Sequence, residues 1–230
     1  MRRALLLALL LAVSSPAQAS GLRVLGSWTL SPDTSFDVFS STDWRSDLDV
    51  SFSYTFLYAA RLFLLDVEGG YRYTTRIEDT LYDLYSTSLD GHSMYLGLRF
   101  QARIDRPYIE WLQPYVRIDF GWLWVNARLS RASMPMTDRT SNGFIYVGGG
   151  AQVTVPTSFI RNRLHIKATE RFTLGFTYEL GFYQPGPLRI RLAHEASSAT
   201  DAEPIPVGGF AMGSLDLMGM VHSFGFVLTF

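Results

Sequence analysis

Five arginines and five carboxylates recur at alternate positions within apolar segments: Arg23, Arg72, Arg99, Arg103 and Arg117 against Asp49, Asp66, Glu68, Asp119 and Glu179. Charges so placed can bind a substrate, line an ion path or neutralise one another. The two signs balance, and an unpaired buried ion is costly, so mutual pairing is the chemistry they predict first. A polar conduit gated by the same pairs is the second reading. Metal chemistry is not expected, because His92, His165, His194 and His222 stand far apart without the close-spaced partners of a zinc site. There is no cysteine, no glycine-rich nucleotide loop and no nucleophile elbow. Ser223 follows His222, but neighbours in a strand point to opposite faces, so the two cannot act on one substrate. No catalytic constellation or cofactor site remains, and the chain is not expected to be an enzyme.

The elements that must position these charges are strands, because charged and apolar residues alternate with a period of two. Leu22, Val24, Trp28 and Leu30 oppose Arg23, Ser27 and Thr29; Leu48, Val50, Phe52, Tyr54 and Phe56 oppose Asp49, Ser51, Ser53 and Thr55. After a tight turn at Ala59-Ala60, Phe63, Leu65, Val67, Gly69, Tyr71 and Tyr73 oppose Asp66, Glu68, Gly70 and Arg72. Met94 to Phe100 oppose Gly97, Arg99, Gln101 and Arg103, and Val116 to Trp124 oppose Arg117, Asp119 and Gly121. Ile145 to Val155, Leu174 to Phe182 and Met218 to Phe230 complete a count of eight. The apolar set holds aromatic residues near strand ends, Tyr71, Tyr73, Trp122 and Trp124, where an interface girdle would want them. Together these features predict an all-β chain: a closed, antiparallel, up-and-down transmembrane β-barrel of eight strands with charges inside and apolar residues outside. A soluble sandwich would turn the charged face to water, and the terminal aromatic belt speaks against it.

Both ends of the chain bear on its address. Arg2 and Arg3, the apolar run Ala4 to Val13 and the small-x-small triplet Ala17-Gln18-Ala19 form a secretory leader, with cleavage expected after Ala19. Loss of the leader takes the formal net charge from −1 to about −3, so residues 20–230 carry no basic field and nucleic acid is not an expected partner. The last eight residues run from Ser223 through Gly225 and Leu228 to a terminal Phe230. This octet resembles the C-terminal assembly signal of bacterial outer-membrane barrels, and the strand count and girdle are similar to the OmpA transmembrane class. The resemblance implies export to the periplasm, handling by the barrel assembly machinery and residence in the outer membrane among lipid and lipopolysaccharide. It carries no soluble peptidoglycan-binding domain with it, so cell-wall anchoring is not implied. Small outer-membrane enzymes of the lipid A deacylase type also resemble this chain in size and use an exposed His with a Ser two residues along; here that place is Phe224.

With both termini periplasmic, outer loops are expected at 31–46, 75–91, 130–141 and 184–214, and turns at 58–61, 104–112 and 156–170. The loop at 184–214 is long enough to hide a hairpin, which would lengthen two strands or make the barrel ten-stranded. Arg99 is expected to face Asp66 and to reach Asp119, and the inward glycines are expected to make room for the arginines. The resulting expectation is a rigid, plugged barrel acting as a structural or loop-mediated interaction protein with an unidentified outer partner. A narrow channel is the first alternative and a lipid-modifying enzyme the second.

Overall fold

Two-residue alternation does organise the chain. The computed structural model describes residues 20–32, 39–40, 43–59, 63–81, 85–102, 104, 111–131, 134–155, 173–194 and 210–230. The leader at 1–19, Arg103 and the turn 156–170 lie outside them. The strands are β1 (Ser20–Leu30), β2 (Trp44–Ala59), β3 (Phe63–Leu81), β4 (Tyr85–Ala102), β5 (Leu112–Arg131), β6 (Met134–Val155), β7 (Thr173–Pro185), β8 (Leu188–His194), β9 (Phe210–Leu215) and β10 (Gly219–Thr229). Each barrel strand pairs antiparallel with two neighbours, in the cyclic order β1-β2-β3-β4-β5-β6-β7-β10. Closure is visible at Leu22, which lies opposite Phe52 on one side and Leu228 on the other. It is finished at the lower rim, where Ser20 N–H donates to Phe230 O at 3.0 Å and Phe230 N–H to Ser20 O at 2.9 Å. The barrel therefore has eight strands and no free edge along this ring, the arrangement that satisfies backbone groups without water.

The segment 184–214 does contain a hairpin, but it adds no strand to the ring. β8 continues the line of β7, and β9 leads into β10. The two pair with each other through Leu188↔Leu215 and Leu192↔Phe210. Proline explains the break between β7 and β8, since Pro187 has no N–H to give a ladder. The gap is bridged to β6 by Gly186 N–H to Gly143 O at 2.8 Å and Asn142 Nδ2 to Pro187 O at 2.9 Å. Beyond it β8 rejoins β6 at Thr137↔Ala193.

Two of the expected loops are strand. Most of 75–91 belongs to β3 and β4, and most of 130–141 to β5 and β6. β3 to β6 hold 19, 18, 20 and 22 residues, against 11 in β1 and β10. At about 3.3 Å per residue, these four strands rise well beyond the ~10 residues that cross a bilayer. The extra length escapes the sequence pattern because its two faces change places. Along β5 the inward residues run upward as Tyr115, Arg117, Asp119, Gly121, then Leu123, Val125, Ala127, Leu129, while the outward ones run Val116, Phe120, Trp122, Trp124, then Asn126, Arg128, Ser130. Below this level the wall is apolar outside and polar inside; above it the order is reversed. β4 and the β7–β8 line reverse at the same height, with Leu89 and Leu188, Ile190 and Leu192 buried and Arg189 and Arg191 exposed.

A β-bulge adds a second irregularity. Thr74 faces Gly91 and Ile77 faces Leu89, so Thr75 and Arg76 together oppose Asp90. The extra residue turns Ile77 inward toward Leu89 and leaves both Thr75 and Arg76 exposed. The upper storey then has a core of its own: Phe39, Leu89, Leu123, Val125, Leu129, Phe144, Leu188, Ile190, Leu192, Leu215 and Val221 are buried together. Among the described residues no helix is long and apolar enough to cross a membrane, a finding that does not touch strands.

Candidate functional site

Four arginines expected inside are described, and all four are buried: Arg23 and Arg117 to 2 % exposure, with Arg72 and Arg99 close behind. The carboxylates Asp49, Asp66, Glu68, Asp119 and Glu179 are buried with them. Arg117 stands at the centre. Its Nη2 lies 2.8 Å from Asp119, 3.6 Å from Glu179 and 3.8 Å from Asp49, and its Nη1 lies 3.4 Å from Glu68. Because β5 and β2 are three strands apart in the ring of eight, the Arg117–Asp49 contact crosses the lumen. Arg23 pairs closely with Glu68, which also takes the Ser51 hydroxyl, and reaches Glu179 at 3.3 Å. Arg72 donates to Asp49 at 3.0 Å, and Tyr95 Oη donates to the other oxygen of Asp49 at 2.6 Å.

Tyrosines complete this cross-section. Tyr146 Oη donates to Glu179 at 2.6 Å, and the Arg117 guanidinium lies 4.8 Å from the Tyr146 ring centre and 5.5 Å from that of Tyr95. Aromatic faces stabilise a guanidinium where water is absent. The groups tied together come from β1, β2, β3, β4, β5, β6 and β7, so seven of the eight strands are joined through the axis. An eight-stranded barrel is just wide enough to be filled in this way.

A lower pair stands apart. Arg99 donates to Asp66 through Nε at 3.0 Å and Nη2 at 2.7 Å, and Thr55 Oγ1 donates to Asp66 at 2.6 Å. Asp66 faces Arg99 directly in the β3–β4 register. Asp119 does not join this pair: its cation is Arg117, on its own strand, and not Arg99. Position 119 faces Gly97, two residues higher on β4 than Arg99, and lies nearer the central cluster.

The inward glycines require a second correction. A Cβ at Gly70 would run into the ring of Tyr95, at Gly121 into the ring of Phe144, and at Gly148 or Gly181 into the ring of Tyr146. At Gly97, Gly150, Gly175 and Gly225 it would meet Asp119, Tyr178 O, Val153 O and Val24 O first. None makes room for an arginine. An inward tyrosine in a narrow ring must lie along the wall, and a glycine on the next strand provides the place.

Sequence reasoning missed Arg45, Asp47, Tyr95, Tyr115, Tyr146 and Tyr183, all buried. Arg45 pairs with Asp47 at 3.4 Å, and Asp47 also accepts from Thr74 at 2.7 Å and Thr29 at 3.0 Å. Parity was the available signal, since Arg45 and Asp47 continue the Asp49 face and Tyr95 the Arg99 face. With them, six buried carboxylates meet five buried arginines among the described residues.

The outer face carries Trp122 and Trp124 on β5 and Tyr71 on β3, all exposed, with Tyr73 half-buried and β4 between the two strands. Two histidines stand on the outward face, His92 opposite Trp124 and His222 opposite Trp28. Tyr71 Oη lies 2.5 Å from His92 Nδ1, and Tyr178 Oη lies 3.1 Å from His222 Nδ1. His92 Nε2 is 3.9 Å from Asp90. Both pairs sit diagonally across an antiparallel ladder, each histidine two residues from the position opposite its tyrosine. Ser223 faces inward and Gly225 lies against the Val24 backbone, whereas Phe230 is exposed and Leu228 half-buried. Among the described residues no group of His, Cys, Asp and Glu is arranged to hold a metal ion.

No protein-family model matches the sequence, and no curated protein matches it. Solved structures do. Neisserial surface protein A matches at 8 % identity with a TM-score of 0.48, over 92 % of this chain and 95 % of that one. The attachment invasion locus protein Ail of Yersinia pestis matches at 12 % identity and 0.43, over 93 % and 97 %. The outer membrane protease OmpT of Escherichia coli matches at 8 % identity and 0.42, over 94 % and 95 %.

Proposed function

We propose that this protein is an integral outer-membrane barrel whose interior is a fixed ionic plug and whose working surface is the storey above the membrane. The lower wall is apolar outside, with Leu22, Phe52, Leu96, Val147, Phe176 and Phe226 exposed at every side of the ring. Water would make such a band unfavourable at roughly 25 cal/mol per Å2. Lipid would not, and the aromatic row at its upper edge fits a membrane interface. The reversal of faces just above Trp122 and Trp124 fits the passage from hydrocarbon to water. Export through the periplasm and folding by the assembly machinery follow from this reading, with Phe230 hydrogen-bonded into the closing seam.

The observation that carries the plug is the Arg117 cluster, which ties β5 to β2, β3 and β7 across the lumen at 3.4–3.8 Å. Moving one member leaves its partners as unpaired buried charges. A rigid body of this kind suits a structural or contact role in which the upper storey and its loops meet a partner. Planar-bilayer recording tests it. Purified protein, shown to be inserted by heat-modifiable gel migration, is expected to give no steady conductance; reproducible ohmic steps at that stage establish the channel instead. Lipid A composition in cells with and without the protein is expected to be the same, and a changed acyl pattern would establish the lipid-modifying enzyme.

A further inference from the structure

The outward face above the aromatic row is not evenly charged. Arg76 reaches it from the β3 bulge, Arg128 from β5, Arg139 from β6, and Arg189 and Arg191 from β8, all exposed. Glu78 and Asp90 stand on the same face, and Asp79 and Asp138 also line its clefts, with Asp138 accepting from the Arg191 backbone N–H at 2.6 Å. Arg76 pairs with Glu78 at 2.8 Å, and Arg139 donates to Asn126 at 2.8 Å, which in turn donates to Asp90 at 2.7 Å. Arg128, Arg189 and Arg191 have no side-chain partner among the described residues, so the face retains free cations. Around Arg128 lie the hydroxyls of Ser86, Ser88, Ser130 and Thr137, lining two adjoining open clefts that also share Arg76 and Ser88.

Height is what gives this patch a meaning. Trp124 faces Ser141 in the β5–β6 register, and Asn126 faces Arg139 one outward row higher. Two residues along a strand correspond to roughly 6.6 Å before tilt. The guanidiniums therefore begin one row above the aromatic girdle, where a bilayer places its headgroups. The inner face of the same strands is apolar and packed, so these arginines cannot turn inward. Guanidinium forks match phosphate oxygens in charge and geometry, and flanking hydroxyls can donate to the remaining oxygens.

We propose that Arg76, Arg128, Arg139, Arg189 and Arg191 form a belt that binds the phosphates of a phosphorylated glycolipid in the outer leaflet. The proposal rests on the membrane reading above. It adds a ligand class, a face and a height to it. The belt covers β3, β5, β6 and β8, one side of the barrel, so bound glycolipid would be concentrated there.

The test is native mass spectrometry of the full barrel in detergent, titrated with diphosphorylated lipid A, with its dephosphorylated form and with phosphatidylcholine. The diphosphorylated lipid is expected to bind first. In R128Q/R139Q/R191Q its apparent affinity should fall by about a hundredfold, since each arginine at an anionic surface contributes about a factor of five. E78Q, which frees Arg76, should strengthen it. Inorganic phosphate at matched concentration should not displace the lipid; full displacement would show a site for free phosphate and overturn the lipid assignment. Equal binding of all three lipids, or an unchanged triple variant, also overturns it. Heat-modifiable migration of each variant separates the two levels. A barrel that inserts but shows no phosphate preference refutes the belt alone, whereas a protein that stays monomeric and soluble without detergent refutes the membrane reading.

Discussion

Arg99 and Asp66 allow the interior pairing to be measured without disturbing the central cluster. Both side chains are at most 6 % exposed and joined by two hydrogen bonds, with Thr55 as the other donor to Asp66. Removing one ion leaves the other buried and unpaired, which costs about 3–5 kcal/mol. Arg99→Ala and Asp66→Ala should therefore each destabilise the protein by that amount. The double variant removes both charges and loses chiefly packing and the Thr55 contact, so it should be no worse than the worse single. The coupling energy from the cycle is then at least about 3 kcal/mol, the smaller of the two single effects. Urea titration of vesicle-inserted protein, read by tryptophan fluorescence and by heat-dependent migration, supplies the four stabilities. Arg76 and Glu78 provide the contrast: they are 2.8 Å apart but 50 % and 64 % exposed. Their coupling should lie at about 0–1 kcal/mol and vanish in ~1 M salt, where the screening length is ~3 Å. Additive single effects at Arg99 and Asp66 would falsify the dry, paired lumen, because independent ions must be separately hydrated.

Other consequences are open to simpler measurements. Gly181→Val places atoms where the Tyr146 ring lies and should cost about 1–3 kcal/mol by overpacking, measured in the same urea titration; an unchanged midpoint would contradict the wall-lying ring. Arg117→Ala should lower stability more than Arg76→Ala, since it leaves Asp49, Glu68, Asp119 and Glu179 short of one shared cation. Ile190→Asp buries a carboxylate in the upper core, so trypsin should cut at Arg189 or Arg191 while heat-modifiable migration persists. Loss of migration as well would mean that the upper storey and the barrel are one cooperative unit. Phe230→Ala removes the terminal ring, 6.4 Å from that of Phe52, and should slow insertion into vesicles more than it lowers final stability; equal rates would remove the terminal residue from the assembly step.

The ring was legible because an apolar solvent outside a narrow polar interior forces strict alternation, and eight stretches of it stand in the sequence. Arg99 opposite Asp66 was legible by counting inward along the two alternating strands from the loop expected between them, and the register bears it out. Parity alone did not reach Arg45, which lies where a loop was expected, Asp47, which directly precedes the expected strand, or Tyr146, which was passed over as an aromatic residue in a set of glycines. Those glycines were read by size, and only packing shows that Gly70, Gly121, Gly148 and Gly181 receive rings.

The chain by itself determined the class of fold, the identity of most buried charges and the outward aromatic row, because each follows from period two and one choice of solvent. Tertiary structure decided what a one-dimensional pattern cannot carry. Above Trp124 the two faces exchange chemistry, so a strand ceases to look like its lower half. The β3 bulge shifts parity by one residue, and β8 returns from a distant part of the chain to complete the wall. Arg117 meets Asp49, Glu68 and Glu179 because closure brings strands far apart in sequence together across one narrow axis.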